Sequence, residues 1–172
     1  MAAAPDETPR DGTTRNGASR DAAAVRIPPP LVFVAVMGAA WAIHRFGVAL
    51  PIDLDRGIRT GVAVVLGLLS LVFLLSAGVL FRRSGQSPEP WKPTPEIIST
   101  GIYRITRNPM YVSIALAQAA IGFRIGNAWF LALLPASLGL VYLLAIRPEE
   151  AYLEAKFGES YLRYRDSVRR WL

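Results

Sequence analysis

Long apolar blocks alternate with short charged ones from Leu31 onward. The first block (LVFVAVMGAAWAI) reaches Ile43, is interrupted by His44 and Arg45, and resumes to about Leu50. Roughly 20 apolar residues cross the ~30 Å hydrocarbon core of a bilayer. This block therefore predicts a span if His44 and Arg45 lie near an interface, where Arg can snorkel. The second block, Gly57 to Phe81, is stronger: it carries no charge from Gly61 to Phe81 and stops at Arg82-Arg83. Two further blocks, Met110 to Phe123 and Ala128 to Ile146, flank Arg124, Gly126 and Asn127. That pattern predicts a helical hairpin that crosses the bilayer and returns.

The polar stretches differ among themselves. Residues 1–28 are mostly Ala, Gly, Asp, Thr and Arg without apolar periodicity, and lead into Pro28-Pro29-Pro30. Such a segment buries too little apolar surface to offset its ordering entropy, so a disordered tail is expected. In residues 82–109, Pro88, Pro90, Pro93 and Pro95 prevent continuous helix. Trp91, Ile97, Ile98, Ile102 and Tyr103 argue against disorder there. From Arg147 to Leu172, Leu153, Phe157, Tyr161, Tyr164 and Val168 recur at helical spacing, with Gly158 as an expected bend. Arg163, Arg165, Arg169 and Arg170 would bring this helix positive charge near the membrane surface. The expectation is an all-α integral membrane protein with about four transmembrane helices and an amphipathic C-terminal helix. Residues 29–172 would form its single domain.

Charge adds orientation. The net charge of +6 is unevenly placed. The N-terminal tail, the 82–109 loop and the C-terminal segment hold most of the Arg and Lys. The other side of the expected four-span topology receives only Arg45, Arg56, Arg59 and Arg124. The positive-inside rule then puts both termini and the long loop in the cytoplasm. The Arg-rich, Lys-poor composition suits a bacterial cytoplasmic membrane. Basic stripes interleaved with aromatics are absent, so no nucleic-acid partner is expected. With no cysteine and His44 as the single histidine, thiolate chemistry and a histidine-rich metal site are excluded, and no metal is expected. His44 reads as an interfacial residue. Trp41, Trp91, Trp129 and Trp171 read as interface anchors, and Gln118 as an amide bonded between helices.

Candidate chemistry concentrates in two places. Asn108-Pro109 is a common helix start, with Asn at the N-cap and Pro at the first helical position. It either merely begins the third span or, beside Arg107, makes a helix N-terminus able to hold a carboxylate or phosphate. Glu149 and Glu150, after Arg147-Pro148, either complement a helix dipole or bind a cationic group.

Three elements, WKPT (91–94), TGIYRITRNPMY (100–111) and PEEAYLEAKFGESYLRYRDSVRRW (148–171), resemble the isoprenylcysteine carboxyl methyltransferase and phospholipid methyltransferase superfamily. The resemblance covers about residues 57–172 and implies S-adenosylmethionine as methyl donor. Arg107, Asn108, Pro109 and Tyr111 match the family's Arg-His-Pro-x-Tyr cofactor motif, and Glu149 and Glu150 match its paired acids. The chain departs from the pattern at Asn108, where the eukaryotic-type motif has His, and at Ser113, where Gly is usual. In this reading Arg107 and the helix N-terminus suit the donor's carboxylate, and one glutamate suits its ammonium or ribose. Tyr103, Tyr111, Tyr152 and Tyr161 could enclose the adenine. The implied activity is methyl transfer to a lipophilic acceptor at the cytoplasmic membrane face: a prenylcysteine-like carboxylate, a phospholipid amine or another lipid-phase nucleophile. The alternative is a non-enzymatic accessory protein that keeps the scaffold.

Overall fold

A backbone surrounded by apolar side chains and lipid must satisfy its own N–H and C=O groups, and helices do so within one segment. In the computed structural model, which describes residues 22–25, 27–89 and 92–172, every regular element is helical. Helix α1 is Pro29–Phe46 and α2 is Arg56–Arg83. A 3-10 turn at Gly101–Arg104 precedes α3, Pro109–Ile125. Then follow α4 (Trp129–Ala132), α5 (Leu134–Val141), a π-helical turn (Tyr142–Ile146), α6 (Arg147–Phe157) and α7 (Glu159–Ser167).

Three helical stretches are long and apolar enough to cross a membrane: Pro29–Phe46, Arg56–Arg83 and Trp129–Phe157. The apolar α3 is shorter, and its 17 residues reach about 25 Å. Helix α2 packs chiefly against α3, where Ser70 Oγ donates to the carbonyl of Ser113 at 2.8 Å. Its other faces expose Leu68, Leu71, Val72 and Leu75, a surface suited to lipid. Helix α1 packs on α4 and α5. Gln118 is fully buried between α3 and the returning helices. Its Nε2 donates to the Phe130 carbonyl at 2.8 Å, and its Oε1 accepts from Ser137 Oγ at 2.8 Å. The expected interhelical amide is therefore in place.

Both short connections lie at one end. Gly126, with φ 73°, closes α3, and Asn127 N–H donates back to Gly122 at 3.0 Å. The α1–α2 connection pairs with this turn: Ile52 N–H donates to the Gly126 carbonyl at 3.0 Å, and Ala128 N–H to Leu50 at 2.8 Å. The first helix thus ends at Phe46 rather than near Leu50, because residues beyond it are drawn into this pairing. His44 sits in the last turn of α1, where its Nδ1 accepts from Leu50 N–H at 3.2 Å. Asp55 starts α2 by accepting from the N–H groups of Gly57 and Ile58 at 2.6 and 3.3 Å.

The opposite end gathers the long loop, α6, α7 and the C-terminus. Residues 22–25 also lie here, and Ala23 and Val25 are buried against Phe33, Val141, Ala145 and Ile146. Packed chain therefore begins upstream of Pro28, inside the segment expected to be disordered; residues 1–21 of that segment lie outside the described residues. So does Trp91, one of the four expected interface anchors. The expected C-terminal helix is two helices. Gly158, at φ 52°, separates them, and Val168 leaves α7 in extended conformation, so that residues 168–172 form a non-helical strap.

Candidate functional site

Pro148 organises the long helical stretch Trp129–Phe157 at its charged end. It lacks the N–H that an α-helix would direct at residue 144, and its ring crowds that carbonyl. The π-turn just before it absorbs the mismatch, with Arg147 N–H reaching back to Tyr142. The helix runs through without a free N-terminus, so Glu149 and Glu150 are not first-turn acids beside exposed N–H groups. They project from a continuous helix towards α3. Pro109, meanwhile, occupies the first turn of α3, and Asn108 stands at its N-cap position without a side-chain capping bond. The Asn108 Nδ2 donates instead to the Arg170 carbonyl at 3.1 Å.

These elements enclose a cavity of about 360 Å³. Tyr103, Arg107, Asn108, Pro109 and Tyr111 line it from the loop and α3, and Glu149 and Glu150 line it from α6. All seven candidates from the sequence meet at one place. Tyr152 and Tyr161 join them.

Ionic contacts fix the cavity's charged corner. Glu150 Oε1 lies 3.2 Å from Arg107 Nη1. Arg170 grips the same carboxylate through both oxygens, with Nε–Oε1 at 3.0 Å and Nη2–Oε2 at 2.9 Å. Arg170 was expected near the membrane surface with its neighbours; it turns inward because the strap leaves helical geometry at Val168. Arg163 and Arg165 pair outside the cavity, with Glu159 and Glu154. Tyr111 donates its hydroxyl to Glu149 Oε1 at 2.5 Å. Tyr164 donates to the Tyr103 carbonyl at 2.8 Å. Burial first, and then the neighbouring phenol, pushes the Tyr103 hydroxyl above its ordinary range. Burial likewise raises Tyr164, against the opposing pull of Arg107. Both phenols stay neutral, and Tyr164 is the donor of this contact.

Two buried nitrogens at the cavity have no hydrogen-bond partner among the described residues: Arg107 Nε and Gln86 Nε2. Buried donors are rarely left without a partner, and each costs about 1–3 kcal/mol if nothing meets it. Gln86 escaped the sequence reading, although a signal existed. Gly85 follows the Arg pair that ends α2 and takes φ 67°, so that Gln86 N–H donates to the Phe81 carbonyl at 3.1 Å. This is the Schellman geometry of a glycine just past a helix end, and it fixes where the next side chain stands. His44 lies at the other end of the molecule, away from the cavity. Among the described residues, no cluster of His, Asp or Glu is arranged to hold a metal.

A helical membrane scaffold with an Arg-, Glu- and Tyr-lined cavity at one end defines the class. Residues 58–160 match the phospholipid methyltransferase family, and the chain belongs to that family. An uncharacterized protein of Haemophilus influenzae is 41% identical over 71 residues, covering 37% of this chain and all of that protein. No solved structure matches.

Proposed function

We propose that this protein transfers a methyl group from S-adenosylmethionine to a lipophilic acceptor at the membrane face that carries the cavity. The observation that carries this reading is the unpartnered, buried Arg107 Nε in a cavity whose polar lining also holds tyrosines and paired acids. A site of about 360 Å³ falls in the range of roughly 300–1,000 Å³ that holds small ligands. The donor set fits: Arg107 suits a carboxylate, and the tyrosine faces suit an adenine. Glu149 is the better candidate of the two acids for an ammonium or ribose, because Glu150 has both oxygens engaged by guanidinium groups. Asn108 and Pro109 shape the wall where α3 begins. Bound there, S-adenosylmethionine would supply a methyl on a positively charged sulfur that leaves as a neutral thioether.

The chain's own part is positioning, which can lower a barrier greatly without an acid or base. Pro28, Pro29, Phe81, Ile97, Met110 and Ile114 make much of the lining apolar and would favour a lipid-phase acceptor. Arg82, Arg83, Arg104, Arg107 and Arg147 lie at the cavity end, while Arg45, Arg56, Arg59 and Arg124 lie at the other. That asymmetry supports a cytoplasmic cavity, with the chain crossing the membrane of a bacterial cell. Titrating S-adenosylmethionine into detergent-solubilised protein tests the reading. Saturable binding by the wild type and a loss of more than about thirtyfold in Arg107→Ala are expected, as for removal of one partner of a buried charged contact. Absence of wild-type binding would leave a scaffold without a donor site, as in an accessory protein.

A further inference from the structure

We infer that Arg170 is a positioning residue for the donor site: by holding Glu150 through both oxygens, it leaves Arg107 available for an anionic ligand group. This rests on the donor-binding reading above and deepens it. Arg170 lies beyond the family match, which ends at residue 160.

The contacts to Glu150 are unequal. Arg170 makes two hydrogen bonds to it, at 3.0 and 2.9 Å, in the fork geometry that suits a guanidinium and a carboxylate. Arg107 reaches it with one nitrogen at 3.2 Å, touches Tyr161 Oη at 3.5 Å, and keeps its buried Nε without a partner among the described residues. The Arg107 and Glu150 side chains are 9% and 17% exposed, so neither is well solvated if its partner leaves. Two guanidiniums sharing one carboxylate leave one positive charge uncompensated within this group, on the wall of the cavity. Arg107 can turn to an incoming carboxylate because Glu150 remains paired with Arg170. Without Arg170, the same movement would strand a buried carboxylate, and Arg107 would be held by Glu150 instead.

The strap is built to present Arg170 accurately. Its carbonyl accepts from Thr106 Oγ1 at 2.8 Å and Asn108 Nδ2 at 3.1 Å, and the preceding carbonyl, of Arg169, accepts from Arg107 N–H at 2.9 Å. The guanidinium lies 4.8 Å from the ring centre of Tyr142, within cation–π range. Trp171, half-buried, packs against the buried cluster that includes Val141 and Ala145. The strap therefore holds the backbone that carries Arg107 and the counter-ion that frees its side chain.

The test is a set of S-adenosylmethionine titrations on full-length wild type, Arg170→Ala, Arg170→Lys and the double variant Arg170→Ala/Glu150→Gln, with thermal unfolding of each unliganded protein. Arg170→Ala should weaken binding by about tenfold or more, as expected when a buried carboxylate loses its partner. Arg170→Lys should fall between it and the wild type. The double variant should recover most of the loss, because a neutral amide in place of the Glu150 carboxylate no longer captures Arg107. A purely structural strap predicts the opposite, with the double variant no better than Arg170→Ala and affinity following melting temperature. That result, or wild-type affinity in Arg170→Ala, overturns the inference while leaving the donor reading intact. Failure of the wild type to bind overturns both.

Discussion

The hydroxyl of Tyr111 donates a 2.5 Å hydrogen bond to Oε1 of Glu149 and so joins the first turn of α3 to α6. The two residues are 38 positions apart, and each belongs to a separate motif of the chain. Removing the donor leaves a carboxylate inside the cavity with one partner fewer. Tyr111→Phe should therefore destabilise the unliganded protein by about 1–3 kcal/mol, the cost of leaving a buried acceptor without its partner. Glu149→Gln keeps the shape and removes the carboxyl group, and should weaken S-adenosylmethionine binding by more than about tenfold. Thermal unfolding and donor titration of the two variants separate these effects. Wild-type affinity in Glu149→Gln would take Glu149 out of the donor site.

Gly126 is a steric prediction. Its φ of 73° suits glycine, and a Cβ there would collide with Arg59 Nη1. Gly126→Ala should lose about 1–2 kcal/mol from the left-handed backbone alone, and more from displacement of Arg59. Adding Arg59→Ala should recover only the second part. Melting curves of the two proteins in one detergent check this, and full recovery in the double variant would show that the backbone carries no strain.

Gln118 predicts a loss inside the helical bundle. Gln118→Leu fills similar volume but leaves Ser137 Oγ and the Phe130 carbonyl without the partners they have now. Interhelical hydrogen bonds in membrane proteins average about 0.6 kcal/mol and reach about 1.7. A fall in stability of about 1–2 kcal/mol is expected, with donor affinity unchanged because the amide lies away from the cavity. An unchanged melting temperature would contradict the account of this network.

The two ends of the molecule should face opposite sides of the membrane. The chain has no cysteine, so single cysteines at Asp53, Ser99 and Ser167, all exposed, can be labelled without background. Ser99→Cys and Ser167→Cys should react from the cytoplasmic side, and Asp53→Cys from the other. Labelling of Asp53→Cys and Ser167→Cys from the same side would refute the orientation.

The helical plan was legible because it depends on local chemistry: uncharged runs for α2, Asn108-Pro109 before α3, Gly126 between the hairpin arms, Gly158 within the C-terminal helix. The candidate site was legible as far as its two motifs go. Their convergence on one cavity is a tertiary property, since the contacts of Tyr111 with Glu149 and of Asn108 with Arg170 span 38 and 62 residues. Arg170 was misread for a similar reason. Helical periodicity carried past Ser167 puts it on a charged outer face, whereas the extended Val168 turns it inward. Ala23 and Val25 lie in the short run 22–25, which shows no apolar period in the sequence, yet they are buried in one cluster with Phe33 and Ile146.

Methyl transfer itself tests the central claim most directly. Membranes containing the wild type, and matched membranes containing Arg107→Ala, are given S-adenosylmethionine labelled in its transferable methyl, and the organic-phase extract is counted and resolved. The account predicts a labelled lipid-phase product with the wild type and at least about thirtyfold less with Arg107→Ala at limiting donor. A wild type that binds the donor but labels nothing in the organic phase would contradict a lipophilic acceptor. Equal labelling by both proteins would contradict the placement of the donor at Arg107.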